Sequence, residues 1–309
     1  MAGGRDGGRF GSKFLGAISL MRIVLGKKDR PDPAKGSTTA TRTMTAGIGF
    51  QFNPIEIWRR RELLWVLTLR EIQVRYTQSV LGIAWAMLQP VAIMLMFTLI
   101  FSVLLKVPSE GVPYPIFSYS ALIFWTFFSN SLGRAIPSLE ANEGLIKKIY
   151  FPREFFPISS VFSSMFDLMI AFVIFLFLML YYHIPFTLNM LYVVPLVVIQ
   201  TVFTIGVCFF ASAFNVYYRD VKYALPLIVQ LWLYATPIIY PMSSVPERFW
   251  KFYLLNPMTG IIESYRSVLV KGEGPQLFYV GVAAAGAVFL FVLGYFYFKR
   301  IEMSFADVI

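Results

Sequence analysis

Long apolar runs recur about every 25–40 residues through the C-terminal 230 residues or so of this 309-residue chain. The short loops between them carry Lys and Arg on alternate sides only. Runs of about 20 apolar residues match the hydrocarbon thickness of a bilayer. Basic loops stay on the cytoplasmic side, so their alternation sets a topology. Lipid offers the backbone no hydrogen-bond partner, and a helix satisfies its own. The pattern therefore specifies an all-α membrane protein that crosses the bilayer repeatedly.

The charge content agrees. Only 14% of residues are charged, against about 25% in soluble domains. The net charge of +10 would point a soluble protein towards nucleic acid. Here about 22 of the 27 Lys and Arg fall on one expected side and about 5 on the other. That asymmetry is the positive-inside pattern, and no nucleic-acid partner is expected. Cys208 is the single cysteine, so neither an intrachain disulfide nor a cysteine zinc site can form. His183 is the single histidine and falls in an expected outer loop. No metal site is expected.

Residues 1–50 differ from the rest and read as a disordered cytoplasmic tail; residues 51–309 form the membrane domain. Phe14–Gly26 is mildly apolar, but Arg22 interrupts it and no small-residue cleavage site follows, so it is a poor signal peptide. Over Ile55–Val80, Trp58, Trp65, Leu69, Ile72 and Tyr76 share one helical stripe, while Arg60, Arg70, Glu71 and Arg75 point elsewhere. This predicts an amphipathic helix lying in the membrane interface with a basic polar face.

Six spans are expected: Ile83–Leu105, Tyr114–Ile136, Pro157–Tyr182, Leu188–Phe214, Tyr223–Tyr240 and Leu277–Phe298. An even number puts both termini in the cytoplasm. Lys147, Lys148, Arg153, Arg219 and Lys222 make the inner loops basic. The two halves do not mirror each other, which counts against an inverted-repeat secondary transporter.

Pro241–Pro275, between the fifth and sixth spans, is too apolar for a plain loop and too short and charged to span. Asn256-Pro257 reads as an N-cap with proline in the first turn. Met258, Ile261, Ile262, Tyr265 and Leu269 form an apolar stripe, and Gly272 is a C-cap. Glu263 and Arg266 sit one turn apart, off the stripe, where they can pair. With Phe249, Trp250, Phe252 and Tyr253 before it, the segment predicts two short re-entrant helices. They serve either as an outer gate or as a simple interfacial anchor.

Catalytic machinery is not apparent. The phosphate-loop pattern G-x-x-x-x-G-K-[ST] has no match, since Gly26-Lys27 is followed by Lys28. Asp167 is the one acid well inside a span, a functional candidate by default. Ser159, Ser160, Ser163 and Ser164 on the preceding turns offer it a structural alternative as hydrogen-bond partners. Aromatic residues make up 17% of the chain. Interfacial belts account for most of them. Phe97, Phe101, Phe128, Trp232 and Tyr234 lie deep in spans, either as lipid-facing or core residues or as an aromatic-lined conduit for sugars. The inner loop Ser138–Pro152 reads as a short helix, Leu139–Ile149, with Glu140 and Glu143 early and Lys147 and Lys148 late, which suits the helix dipole. It is either a solvated loop helix or a docking element for a soluble partner.

Six stretches then fall in one register: LTLREIQVRYTQSVLGIAWAMLQP (67–90), LIKKIYFPRE (145–154), FNVYYRDVKY (214–223), YATPIIYP (234–241), NPMTGIIESYR (256–266) and FADVI (305–309). Together they resemble the ABC-2 type permeases that export polysaccharides, particularly the Wzm-like membrane subunits of O-antigen exporters. They are also similar to teichoic acid exporter permeases. The resemblance runs from about Phe52 to the C-terminus.

The resemblance implies a homodimer bound to two copies of a separate, Wzt-like nucleotide-binding ATPase. ATP and Mg would be held by that partner, with no cofactor in this chain. It implies that residues 138–150 act as the coupling helix and residues 55–76 as the interface helix. Residues 249–270 would be the periplasmic gate helices. The substrate would be a lipid-linked polysaccharide, carried across the inner membrane through a channel lined by the first and fifth spans. Teichoic acid or capsule export, a proton-coupled secondary transporter using Asp167, and a membrane enzyme acting on lipid-linked sugars remain as rival readings.

Overall fold

The computed structural model describes residues 60–77, 79, 81–148, 152–302 and 305, with the side chain of Lys148 excepted. The expected tail 1–50, Trp58 and the start of the interface helix lie outside the described residues. Every regular element among the described residues is helical. In chain order they are α1 (Arg61–Thr77), α2 (Ala84–Phe97, continued by a π turn Thr98–Leu104), α3 (Tyr114–Ala141), α4 (Glu143–Lys148) and α5 (Phe155–Tyr181). Then come α6 (Val193–Tyr217, entered through a 3₁₀ turn Leu188–Tyr192), α7 (Val221–Ala235), α8 (Trp250–Leu255), α9 (Pro257–Arg266, continued by a π turn Ser267–Lys271) and α10 (Leu277–Ile301).

Four of these are long and apolar enough to cross a membrane: Ala84–Leu104, Phe155–Tyr181, Leu188–Tyr217 and Leu277–Ile301. They coincide with the first, third, fourth and sixth expected spans. The other two expected spans differ in instructive ways. Helix α3 has 28 residues, about 42 Å at 1.5 Å per residue, but Ser129, Asn130 and Arg134 interrupt its apolar surface. Helix α7 has 15 residues, about 22 Å, short of a hydrocarbon core of about 30 Å. It stops at Ala235 because Pro237 disfavours helix at the preceding residue, and Thr236 is extended at φ −107°, ψ 140°. The expected span to Tyr240 is therefore helix followed by irregular chain.

Helices α6 and α10 pack through glycine. A Cβ at Gly294 would come 2.2 Å from the Gly206 carbonyl oxygen, and one at Gly206 would come 2.6 Å from Phe291 Cα. Small residues let backbones approach closely, and dispersion then does the work that water does elsewhere. Helix α3 runs through the centre. Ile116, Phe117, Tyr119, Phe124, Phe128 and Leu132 are fully buried against α5, α6 and α9.

The helix ends expected on one side gather at one end of the bundle. Leu67, Leu139, Ile146, Phe155, Phe209, Phe298 and Phe305 form a single apolar cluster there. The expected outer segments meet one another too: Lys271 pairs with Glu110 at 2.8 Å, and Asn189 donates to the Gly272 carbonyl at 2.8 Å.

Candidate functional site

The interface helix turns its faces differently from the sequence expectation. Leu67 and Thr68 are its buried residues, and Glu71 and Arg75 continue the same face one and two turns on. Trp65, on the expected apolar stripe, is 64% exposed. What differs is the place of Glu71 and Arg75, expected on the polar face and found against α5. An amphipathic pattern sorts residues by polarity, but α5 presents polar groups of its own, so α1 docks with carboxylate and guanidinium inward.

Those groups converge on Asp167 of α5. Arg75 Nη1 lies 2.5 Å from Asp167 Oδ2 and Arg134 Nη2 of α3 lies 2.9 Å from the same oxygen. The Tyr76 hydroxyl donates to Asp167 Oδ1. The four serines do not bond Asp167; they bond its neighbours. Ser159 and Ser160 donate to Glu71 Oε1 at 3.0 and 2.9 Å. Ser163 accepts from Arg75, and Arg134 Nη1 donates to Ser164 Oγ at 2.9 Å. One network thus ties α1, α3 and α5 together. Burial raises the Glu71 pKa above the usual carboxylate range, the two serine hydroxyls and the two arginines opposing it. Burial also raises the Tyr76 pKa, with the Asp167 carboxylate adding to it. Sequence reading missed Arg134. Its signal was a charge inside an expected span, two residues before the end.

Beside this network lies a cavity of about 190 Å³ bounded by Arg75, Tyr76, Trp85, Asn130, Arg134 and Asp167. Asn130, Arg134, Gln89 and Thr126 also line a wider groove of about 740 Å³ between α2, α3 and α7. Lys222 closes the end of the groove nearest α4, paired with Glu140 at 3.2 Å.

The expected docking helix is divided. Leu139 and Glu140 belong to the last turns of α3, the chain bends at Asn142, and α4 spans Glu143–Lys148. Glu140 faces inward, accepting from Asn215 at 3.2 Å and from Lys222. Glu143 and Lys147 pair at 2.6 Å on the exposed surface. The Lys147 ammonium holds the Glu143 carboxyl below its usual range. Ile146 is buried beneath them. Arg70, on the exposed side of α1, donates to Asn142 at 3.3 Å, joining α1 to this bend.

At the opposite end, Asn256 caps α9 by accepting from the Met258 amide at 3.1 Å, and Gly272 ends the segment at φ 69°, as the sequence predicts. Met258, Ile262 and Tyr265 are completely buried. Tyr265 stacks on Phe124 at 3.5 Å and donates to Gln200 at 3.0 Å. Arg266 pairs with Glu263 at 2.6 Å, donates to the carbonyls of Pro237 and Ile238, and lies 3.9 Å from the Phe117 ring centre. Phe249 and Trp250 stay partly exposed, the first beneath Arg248 at 4.7 Å and the second donating to the Val245 carbonyl.

The deep aromatics separate. Phe128 is enclosed by Trp125, Phe203 and Trp232. Trp232 is half-buried and donates to Asn256 at 3.1 Å. Phe97 and Phe101 form an edge-to-face pair, and Tyr234 is exposed. No cluster of His, Cys, Asp and Glu able to hold a metal occurs among the described residues.

The sequence profile of the ABC-2 type transporter family matches residues 62–270. The chain belongs to that family. It is 30% identical over 250 residues to the O-antigen export system permease protein RfbA of Klebsiella pneumoniae, covering 80% of this chain and 95% of that one. The Myxococcus xanthus protein of the same description is 28% identical, covering 82% and 97%. The polysialic acid transport protein KpsM of Escherichia coli is 26% identical, covering 72% and 88%. The profile takes in α1, the Asp167 network, the groove and α9.

Proposed function

We propose that this chain is the permease subunit of an ATP-driven exporter that moves an O-antigen-type polysaccharide, linked to undecaprenyl pyrophosphate, across the inner membrane. The observation that carries this reading is the near full-length match to O-antigen export permeases. Two copies of the chain form the membrane unit, and two copies of a separate Wzt-like ATPase bind its cytoplasmic face. That partner holds ATP and Mg. Both termini lie in the cytoplasm and the chain crosses six times, α3 and α7 completing the set.

In this reading α4, with Glu143, Lys147 and Lys148, docks on the ATPase. Helix α1 lies in the interface, with Arg70 on its exposed side and Arg75 within the Asp167 network; Trp58 and Arg60, just before it in the chain, belong to the same interface segment. The buried charges of that network connect ATPase movement to the bundle, because α1 and α5 share them. Re-entrant helices α8 and α9, with Phe249, Trp250, Met258, Ile262 and Tyr265, gate the outer end. Phe97, Phe101, Trp232 and Tyr234 are the aromatics nearest the path, and Phe128 backs Trp232 from behind. KpsM favours one second reading, a capsular polysaccharide as cargo.

The test is co-purification. The chain is expressed with the ATPase encoded beside it, captured, and assayed for hydrolysis. A stable complex that hydrolyses ATP, and separates when Lys147 and Lys148 are reversed to Glu, supports the reading. Failure of any neighbouring ATPase to bind overturns it.

A further inference from the structure

Helix α3 carries an uncharged polar stripe at a depth where lipid would be expected. Thr126, Ser129, Asn130 and Gly133 follow one another at helical spacing and face the groove between α2 and α7. Gln89 of α2 faces it from the other wall. The side chains of Gln89, Thr126, Ser129 and Asn130 make no hydrogen bond among the described residues, although Thr126, Ser129 and Asn130 are half-buried. An unsatisfied polar group in hydrocarbon is costly, so such groups persist only against protein or water.

The groove's charges are already committed. Arg134 is held by Asp167 and Lys222 by Glu140. What the middle of the groove offers is amide and hydroxyl hydrogen bonding without net charge, with Trp125 beside it. Such chemistry recognises many hydroxyl groups weakly and in any register, and it gives an anion no anchor. We infer that the α3 stripe Thr126, Ser129 and Asn130, with Gln89 opposite, is the wet wall along which the uncharged hydroxyl-bearing stretch of the glycan slides. This rests on the exporter reading above and adds to it the specific surface, on α3, that the moving polymer touches.

Cys208 makes the test simple. It is fully buried, so the native chain is a silent background for thiol reagents. Full-length variants Ser129→Cys, Asn130→Cys and, as controls on exposed apolar surface, Met169→Cys and Phe177→Cys are produced in cells with the partner ATPase. Open membrane fragments from those cells are treated with a membrane-impermeant maleimide, so that the reagent reaches the groove from both faces of the bilayer. The stripe positions should label at least about tenfold faster than the controls, because thiolate chemistry needs water. Labelling of Asn130→Cys should slow severalfold in fragments from cells making the glycan, relative to those from cells blocked in glycan synthesis. Control-like rates at both stripe positions would overturn the inference, a second copy or lipid then covering the stripe. Rates indifferent to glycan synthesis would overturn it as well. Surface glycan in cells lacking this chain is scored in parallel: if it is unchanged, the exporter reading itself fails, independently of the labelling.

Discussion

Asp167 of α5 and Arg75 of α1 meet at 2.5 Å, 92 residues apart in sequence. Arg134 of α3 shares the same carboxylate oxygen at 2.9 Å. Three helices are therefore joined through one carboxylate that sits 12 residues past the start of α5, about 18 Å along its axis. Removing one partner of a buried pair costs more than the pair contributes, because the survivor is left uncompensated.

Asp167→Asn leaves two guanidiniums facing one another without a carboxylate. The group is only 12% exposed and Arg75 21%, so we expect a loss of about 1–3 kcal/mol in the docking of α1, less than for a fully enclosed pair. Export should fall while assembly with the ATPase survives. Arg75→Gln in the same background should cost little more, because the two act through one contact. Thermal unfolding of the four proteins in detergent measures the coupling. Additive losses would mean that the two side chains act separately. If Asp167 instead carried a transported proton, abolishing the pH gradient would stop export in the parent protein, which we do not expect.

Glu71 gives a pH dependence with a definite sign. Burial raises its pKa in the folded protein above the ordinary value of 4.5. A raised carboxylate pKa means that the folded state holds the proton more tightly. Its contribution is fully present below the unfolded pKa and is lost as pH rises through the folded one. Glu71→Gln should therefore stabilise the protein at pH 8 relative to the parent, and by less at pH 5. The amide still accepts from Ser159 and Ser160. Unfolding temperatures at the two pH values check this, and a destabilised variant at pH 8 would contradict it.

The α6–α10 crossing has no space for a methyl group. Gly294→Ala would place a Cβ 2.2 Å from a carbonyl oxygen and Gly206→Ala 2.6 Å from backbone. Neither neighbour is the flexible end of a side chain, so the helices must separate. We expect a loss of about 1–3 kcal/mol or more, seen as reduced membrane accumulation of folded protein. Gly281→Ala on the same helix, with nothing within 4 Å, should be tolerated.

Four of the six expected spans, the capped α9 and its Glu263–Arg266 pair were legible because each depends on local sequence: apolar length, an Asn-Pro cap, a glycine at positive φ. The inner network was legible only in part. Asp167 stood out as an acid in an apolar run, and the serines beside it looked like its partners. Their true partners, Glu71, Arg75 and Arg134, lie 30 to 89 residues away, beyond any helical period. Helix α1 misled for the same reason. Polarity sorts residues against water and lipid, and α5 is neither where it meets α1. Helix α7 misled differently, since hydropathy continued past the point where Pro237 ends the helix.

Arg266 is the most demanding side chain at the outer end. It is 1% exposed, bonded to Glu263 and to the carbonyls of Pro237 and Ile238, and lies over the Phe117 ring at 3.9 Å. Its planar fork reaches the carboxylate and the carbonyls at once and still stacks on the ring. A lysine ammonium has neither the span nor the flat face. Arg266→Lys should therefore free the irregular stretch after α7 from α9, although the charge is retained. Proteolysis between Thr236 and Pro246 from the outer side should speed up severalfold, since local opening exposes the backbone. Glu263→Gln keeps one acceptor for the guanidinium and should produce a smaller change. Equal protection in Arg266→Lys and the parent would show that apolar packing of Met258, Ile262 and Tyr265 alone holds this segment in place.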